Sequence, residues 1–377
     1  MNAVQRASRA RVVAAERVLS GGGSCLLHGE PGAILVRAVE PLDEAALADW
    51  LAESERCTLL ITGTRAQALG LAVPAATCAA LELGRPIGAA GLLALVGPGL
   101  PANGGRGLPE GCTLRLGNRL EEAAVDLAKR AGLMPAVLAR PVGPEARGDV
   151  SVEAEAILAR SRDDLATLRP VVEARLPIAA TERGRLVLFR SASGAVEHLA
   201  FLVGDPASVR APLVRLHSEC FTGDVFGSLR CDCGEQLDAA LAQMAEEGAG
   251  VLVYLRQEGR GIGLLNKLRA YRLQDQGLDT VDANTHLGFL PDERDYAFAA
   301  AMLRMLGIER LRLITNNPEK LDALARHGVS VVERVPSSVP ANQHNLFYLE
   351  TKARRSGHLL RALGNGHGGL PVGRGTG

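Results

Sequence analysis

Short apolar runs and amphipathic stretches alternate along the first half of the chain. Apolar runs at 25–27 and 33–36 flank the segment Gly-Glu-Pro-Gly, a pattern that predicts two strands joined by a turn. Residues 41–52 repeat leucine and alanine at helical spacing, and the apolar run at 57–62 predicts a buried strand. Residues 1–20 favour a helix, and we expect them to form a flexible N-terminal extension.

The second half repeats this alternation with clearer boundaries. Apolar runs at 185–189 and 198–203, separated by a Ser- and Gly-containing segment, predict a β-hairpin. Helices are predicted at 235–247, where Gly248 follows directly, and at 264–276. Between these helices, the five apolar residues at 251–255 predict a buried strand.

These patterns predict the α/β (α+β) class, with two domains that each contain a mixed sheet and flanking helices. A length of 377 residues also exceeds that of a typical single domain. The composition shifts near Arg175. We therefore expect an extension at 1–20, one domain at 21–174, a second at 175–362 and a disordered Gly-rich tail at 363–377.

Composition narrows the function classes. Lys plus Arg equals Asp plus Glu, at 42 each, which disfavours a nucleic-acid-binding protein because such proteins usually carry a basic excess. No apolar stretch is long enough for a membrane helix, and the N-terminal residues do not resemble a signal peptide. With seven cysteines, an odd number, the sequence favours a cytoplasmic protein with reduced or metal-bound thiols.

Three of the cysteines cluster in the sequence. Cys231 and Cys233 are separated by one residue, and Cys220 lies upstream beside the polar segment 215–219. Three thiolates fit a tetrahedral zinc ion with one position open for a water, the arrangement of a catalytic rather than a structural site. An ordinary loop with buried cysteines would also show this spacing. The other four cysteines lie in mainly apolar surroundings and are predicted to be core residues.

Two loops could hold a phosphate group. Residues 256–263 place glycines and arginines between a strand and a helix, where backbone N–H groups can approach an anion. In the second loop Asn317 suits an N-cap, Pro318 the first helical position and Lys320 the first turn. Each pattern is also typical of a plain connection between a strand and a helix.

A third polar segment begins a predicted helix at 291–306. Its acidic residues suit a helix N-terminus, whereas Arg294 in the same turn opposes the helix dipole. An unfavourable placement of this kind favours a functional role for Arg294.

Five segments of the second half together resemble GTP cyclohydrolase II, the first committed enzyme of riboflavin biosynthesis, over residues 176–360. The segments are RLHSECFTGDVFGSLRCDCG, QEGRGIGLLNK, LGFLPDERDY, ITNNPEK and NLFYLETKA. The resemblance implies zinc ligands at Cys220, Cys231 and Cys233. It implies GTP contacts at Arg215, Leu216, His217, Ser218, Glu219, Gln236, Glu258, Gly259, Arg260, Thr280, Thr315 and Lys320. It implies catalytic roles for Asp292 as proton acceptor, Arg294 as nucleophile and Tyr271.

The family's reaction converts GTP to 2,5-diamino-6-(5-phospho-ribosylamino)pyrimidin-4(3H)-one, formate and pyrophosphate, with one Zn²⁺ per subunit and Mg²⁺, commonly in a homodimer. The chemistry agrees with the residues, since zinc makes a nucleophile from water at neutral pH and cationic loops stabilise a leaving pyrophosphate. Arginine is an unusual nucleophile because it stays protonated below pH ~12. Asp292 could orient or deprotonate Arg294, and Arg294 could instead stabilise charge.

Two alternatives to this enzyme remain. One is a non-catalytic nucleotide-binding or regulatory homologue, and the other is a variant that stops at the formamide intermediate or uses another nucleotide. Against the first alternative stands the intact set of Cys220, Cys231, Cys233, Tyr271, Asp292 and Arg294. The presence of Tyr271 argues against a variant that stops early.

The first half has a fainter resemblance. Residues 122–135 resemble the segment that follows the metal-binding histidine of 3,4-dihydroxy-2-butanone 4-phosphate synthase, an enzyme often fused ahead of GTP cyclohydrolase II. Leu120 stands where that family has the histidine, and the acidic metal-binding cluster is represented only by Glu30. We expect residues 21–174 to keep the synthase-like fold without its activity.

Overall fold

The chain folds around two separate seven-stranded sheets. The structure is a computed structural model and describes residues 3–53, 56–83, 87–99, 107–108, 110–194, 197–337 and 355. The last of the five family segments and the expected C-terminal tail lie outside the described residues. The two sheets confirm the predicted class of two mixed α/β domains, which are called the first and second unit below.

The sheet of the first unit has the strand order β5-β4-β3-β6-β2-β1-β7 and is antiparallel except for the β1–β7 pair. Its strands are β1 (Cys25–Gly29), β2 (Gly32–Ala38), β3 (Thr58–Thr62), β4 (Cys78–Glu82), β5 (Thr113–Leu116), β6 (Ala136–Pro141) and β7 (Val150–Glu153). Helices of this unit are α1 (Ala3–Ser20), α2 (Glu44–Ala52), α3 (Gly63–Ala68), α4 (Ala89–Val96), α5 (Arg119–Arg130), α6 (Ala154–Leu158) and α7 (Arg160–Ala166).

The prediction of a flexible extension at residues 1–20 is wrong. Helix α1 occupies almost all of this segment, and its Val12, Ala15 and Leu19 are completely buried in the core that covers one face of the first sheet. Burying a valine or leucine side chain contributes roughly 1.5–3 kcal/mol, so α1 is held by packing. Because arginines are interspersed among these apolar residues, the sequence did not show a clear apolar face.

The sheet of the second unit is antiparallel on one side and parallel on the other, in the order β14-β13-β11-β12-β10-β9-β8. Its strands are β8 (Arg169–Arg175), β9 (Gly184–Arg190), β10 (Glu197–Val203), β11 (Leu213–Ser218), β12 (Gly250–Leu255), β13 (Arg310–Ile314) and β14 (Ser330–Val335). Because β8 pairs with β9, the second sheet begins at Arg169, before the expected boundary at residue 175. The β9–β10 hairpin is confirmed.

Helices cover both faces of the second sheet. They are α8 (Phe221–Asp224), α9 (Cys233–Glu247), α10 (Gly263–Asp275), α11 (Thr280–His286), α12 (Ala297–Met305) and α13 (Pro318–Arg326). The structure corrects the helix predicted at 291–306, which begins only at Ala297, where the Asp295 carboxylate accepts from the backbone N–H. Arg294 therefore lies in a loop, and the helix-dipole argument for its function fails.

The two units meet at α10 and α11. Met134 of the first unit lies in an apolar cluster with Ile262, Leu273, Leu287 and Phe289 of the second. Among the described residues, no helix combines the length and apolarity needed to cross a membrane.

Candidate active site

A cleft opens in the second unit where the parallel strands β11, β12 and β13 end. The carboxyl ends of parallel strands share one sheet edge, so the polar segments that follow these strands converge there. The cleft and its open mouth together contain about 1050 Å³ of space, part of which is bulk solvent.

Thirteen of the predicted GTP-contacting and catalytic residues line this cleft together with the three cysteines. The thirteen are Arg215, His217, Ser218, Glu219, Gln236, Glu258, Gly259, Arg260, Tyr271, Thr280, Arg294, Thr315 and Lys320. Two predicted residues do not line the cleft. Leu216 is buried in the sheet, where its carbonyl accepts from Lys320 Nζ at 2.7 Å, and Asp292 lies beside Arg294.

The three clustered cysteines bring their sulfur atoms together. The Sγ atoms of Cys220, Cys231 and Cys233 all lie within 4.8 Å of one another, a set that could hold a metal ion. Gly223 packs on the cluster so closely that a methyl group there would lie 2.9 Å from Cys231 Sγ and 3.1 Å from Cys220 Sγ. Glycine is therefore needed at this position if the thiols are to meet.

Lys267 lies beside the cysteine cluster, although sequence reasoning did not assign it to the site. Its ammonium nitrogen is 3.0 Å from Cys220 Sγ and 2.8 Å from Glu258 Oε1, and the residue is buried. The other carboxylate oxygen of Glu258 accepts from the backbone N–H of Phe221 at 2.6 Å. One cation and one anion thus fix the cysteine loop against α10. The family segment QEGRGIGLLNK contains Lys267, so the signal was present in the sequence.

Asp224 is a second residue that the sequence analysis missed. Its carboxylate accepts from the Cys220 backbone N–H at 3.0 Å and from the Tyr254 hydroxyl at 2.8 Å, and it lies 3.1 Å from His217 Nε2. Burial lowers the pKa of His217 although the hydrogen bond to Asp224 opposes the shift. A neutral imidazole at neutral pH is the result.

Cationic side chains and unpaired polar atoms line the floor of the cleft. The Arg215 guanidinium donates to the Ile314 carbonyl at 3.1 Å and to Gln236, and burial lowers the pKa of Arg215. Within the described chain, Arg215 Nε, His217 Nδ1 and Ser218 Oγ are buried without a hydrogen-bond partner. Buried polar groups are normally satisfied, so these three atoms indicate a polar ligand.

The two loops predicted to hold phosphate both reach the cleft. Gly259 and Arg260 adopt the left-handed conformation at φ 64° and 63°, and Gly261 follows at φ 94°. Asn317 caps α13 with Pro318 at the first turn, as predicted.

Arg294 and Asp292 form a forked ion pair at the same cleft. Arg294 Nε donates to Asp292 Oδ1 at 2.8 Å, its Nη2 donates to Oδ2, and its backbone N–H donates to Oδ1 at 3.0 Å. Burial would raise the pKa of Asp292, but the hydrogen bonds and charge of Arg294 lower it below its usual value. Asp292 is thus a poor proton acceptor and a firm anchor for the guanidinium. Tyr271, on α10, lies under the Arg230 cation at 4.6 Å.

The second unit, and most of the chain, match known proteins. The family model described as GTP cyclohydrolase II matches residues 169–336. A protein named GTP cyclohydrolase-2 from Azospirillum brasilense is 50% identical over 314 residues, which cover 80% of this chain and 81% of that protein. Riboflavin biosynthesis protein RibBA of Bacillus velezensis is 49% identical over 63% of this chain and 64% of its own length.

One of the matching solved structures is that of a two-domain protein. The crystal structure of RibBX, a two-domain 3,4-dihydroxy-2-butanone 4-phosphate synthase from A. baumannii, covers 87% of this chain and 100% of its own, with 18% identity and a TM-score of 0.32.

The matches identify the chain as an enzyme of riboflavin biosynthesis. Within that class, it belongs to the GTP cyclohydrolase II family.

Proposed function

We propose that the chain hydrolyses GTP in this cleft, releasing formate from the guanine ring and pyrophosphate from the triphosphate, and leaving a diaminopyrimidine. One observation carries the proposal. The cleft brings the three-cysteine cluster together with the cationic side chains of Arg215, Arg260 and Lys320. A nucleoside triphosphate could place its base at the cysteines and its phosphates at the cations.

The cysteine cluster fits zinc. Three thiols that meet within 4.8 Å match the ligand type and number of a catalytic zinc site. Lys267 supports the thiolate form of Cys220 through its ammonium group, and Gly223 leaves the space that the sulfur atoms need. When bound, the zinc would supply Lewis-acid chemistry for hydrolysis at carbon. Cys220, Cys231 and Cys233 would hold it.

Other residues of the cleft bind and orient the nucleotide. Arg215, Arg260 and Lys320 supply positive charge toward the phosphates. Mg²⁺ would add positive charge that stabilises the leaving pyrophosphate. The remaining contacts to GTP are assigned to His217, Ser218, Glu219, Gln236, Glu258, Gly259, Thr280 and Thr315. Leu216, which does not line the cleft, acts indirectly, because its carbonyl accepts from Lys320 Nζ.

Arg294 has the geometry of a charge stabiliser. A guanidinium held in a fork by Asp292 stays protonated, and a protonated guanidinium has no lone pair for nucleophilic attack at phosphorus. We assign Arg294 to the α-phosphate as a cation and Asp292 as the carboxylate that orients it. The ring of Tyr271 lies 5.8 Å from Lys267 Nζ, which in turn contacts Cys220 Sγ, and we assign Tyr271 to the ring-opening and deformylation steps.

One assay tests the reaction. Purified protein is incubated with GTP, Mg²⁺ and Zn²⁺ while formate, pyrophosphate and the diaminopyrimidine are measured separately. We expect equal amounts of formate and pyrophosphate. Pyrophosphate without formate would indicate the variant that stops at the formamide, and GTP binding without either product would indicate a non-catalytic homologue.

Replacing Cys231 with Ser tests the metal assignment. We expect loss of bound zinc, measured by elemental analysis, and loss of formate release. The half-buried Cys112 lies in the other unit, so Cys112→Ser should retain both. Full activity of Cys231→Ser would overturn the zinc proposal.

Three further assignments concern the localisation, the oligomeric state and the first unit. We infer a cytoplasmic homodimer, to be checked by light scattering, and a first unit without synthase activity. Ribulose 5-phosphate should therefore yield no dihydroxybutanone phosphate, since Leu120 replaces a metal-binding histidine.

A further inference from the structure

The first unit contacts three pieces of the second unit that form the walls of the cleft. Glu40 forms a forked ion pair with Arg269 on α10, with both N–O distances at 2.8 Å. Arg65 donates to the His286 carbonyl at the end of α11. Lys129 reaches the loop at 288–294, which carries Asp292 and Arg294. The third contact lies nearest to the proposed chemistry.

Lys129 and Glu293 form a partly buried ion pair between the units. Lys129 Nζ lies 2.6 Å from Glu293 Oε1, and the two side chains are 25% and 15% exposed. Lys129 is in the last turn of α5, where the helix dipole favours a cation. This pair is better shielded from solvent than a surface pair, whose contribution is small.

Glu293 in turn holds two loops together. Its carboxylate also accepts from the Leu290 backbone N–H at 2.9 Å, which folds the 288–294 loop on itself. Its backbone N–H donates to the Arg260 carbonyl at 2.9 Å. A methyl group on Gly261 would lie 2.9 Å from the Glu293 carbonyl carbon, so the two loops touch without space between them. Any shift of Glu293 moves both cation-bearing loops.

We propose that Lys129 is a positioning residue for the phosphate end of the cleft. Through Glu293, the first unit sets where Arg294 and Arg260 stand, and this gives an inactive first unit a role in the reaction of the second. The inference rests on the proposed function for its kinetic test, and on the interdomain contact alone for its structural test.

The kinetic test replaces Lys129 with Met in the full chain. Without the ammonium group, the Glu293 carboxylate turns toward water and the loop loses its fixed position. A misplacement of about 1 Å at a reacting group costs on the order of 10²-fold in rate, so we expect kcat for pyrophosphate release to fall at least about tenfold. KM for GTP should rise by a smaller factor than that by which kcat falls, because Arg215 and Lys320 keep their phosphate contacts while Arg260 is displaced. Lys129→Arg should restore most of kcat.

A second readout does not depend on turnover. Hydrogen exchange of the backbone amides at 288–294 should be faster in Lys129→Met than in the wild type, while zinc content stays the same. If the wild type did not hydrolyse GTP, the proposed function would fall, and this exchange measurement would still decide whether Lys129 holds the loop.

Arg119→Met is the matched control. Arg119 is a cation on the same helix, but it pairs with Glu155 of its own unit. We expect wild-type kinetics and exchange from this variant. Unchanged kcat and exchange in Lys129→Met, or an equal loss in Arg119→Met, would overturn the proposal. If Lys129→Met did not fold, Lys129→Gln would be measured instead. We expect it to lower kcat and speed exchange at 288–294 by smaller factors. Wild-type kcat and exchange in Lys129→Gln would overturn the proposal.

Discussion

At the scale of single residues, Lys267 connects the metal ligands to the rest of the protein. Burial by itself would lower the pKa of Lys267, but the hydrogen bonds to Glu258 and Cys220 raise it above its usual value. The buried ammonium group therefore stays charged across the physiological pH range. It stabilises the thiolate of Cys220 and also holds the Glu258 carboxylate that fixes the cysteine loop.

Lys267→Met should weaken zinc binding on the order of tenfold or more, because groups that support metal ligands typically contribute 10–100-fold in affinity. Competition with a chelator measures this effect directly. Arg272 is exposed on the same helix, so Arg272→Met serves as the control and should bind zinc normally. Equal zinc affinity in both variants would show that Lys267 does not support the thiolate.

His198 gives the protein a pH-dependent stability. Burial lowers the pKa of His198 to about 4 from an ordinary value of 6.5, and its Nδ1 accepts from the Arg256 backbone N–H at 3.2 Å. Below pH 6.5 the unfolded chain binds a proton that the folded chain excludes, so stability falls as the pH drops toward 4. The loss from this one group amounts to about 3 kcal/mol.

Urea unfolding of wild type and His198→Gln between neutral pH and pH ~4.5 tests this linkage. The variant keeps a polar side chain but cannot titrate, and it should therefore lose less stability on acidification. His28, which is exposed, provides the control: His28→Gln should follow the wild-type curve. Parallel curves for wild type and His198→Gln would contradict the prediction.

At the scale of elements, the 258–263 loop stores backbone strain. Arg260 is the only non-glycine residue with positive φ in the described part of the chain, at 63°. A left-handed conformation costs roughly 1–2 kcal/mol for a residue with a Cβ atom. This strained conformation places the Arg260 side chain at the cleft.

Arg260→Gly and Arg260→Ala separate the strain from the charge. Both should lower activity by a similar factor, since both remove the guanidinium. Arg260→Gly should nevertheless be more stable than Arg260→Ala by about 1 kcal/mol, the reverse of the usual order, because only glycine relieves the strain. Denaturant unfolding gives the difference, and an Arg260→Ala variant of equal or greater stability would contradict it.

The helices and strands also show which features could be predicted from the sequence. Segments far apart in sequence, such as 215–220 and 315–320, were assigned to one site through the family resemblance, and the structure brings them together where parallel strands end at one sheet edge. The bounds of single helices, by contrast, followed from the sequence itself. Caps and glycine stops placed the helices α9, α10 and α13 within about two residues. These features depend on local chemistry, which the sequence carries directly.

Features set by long-range packing were missed. The sequence suggested that Asp292 orients Arg294, but it wrongly placed both residues in the helix, which begins only at Ala297. The partners of Asp224 come from two strands and a loop. The pair between Glu40 and Arg269 spans more than half the chain, and single-sequence patterns carry no information about such a contact.

At the scale of the whole molecule, Arg65 ties the two units together. This buried guanidinium donates to carbonyls of Leu95 and Gly97 at the end of α4, and to the His286 carbonyl at the end of α11. Burial lowers the pKa of Arg65 to about 10, so it remains charged at neutral pH. One side chain therefore satisfies the C-terminal ends of helices in both units.

Arg65→Met should cost about 3 kcal/mol, because it leaves buried carbonyls without donors. Calorimetry of the wild type should show a single transition, and the variant should show two, as each unit then melts by itself. Arg37 donates to the Gly22 carbonyl within the first unit, so Arg37→Met should keep one transition. A single transition in Arg65→Met would mean that other contacts couple the units.

The apolar cluster that joins Met134 to α10 and α11 has a consequence for the gene that encodes this protein. A split of the reading frame between the units would leave each product with a newly exposed apolar face. Deleting the coding sequence of the first unit would likewise expose apolar side chains of α10 and α11 to water. The first unit therefore covers an apolar face of the second, whether or not it has an activity of its own.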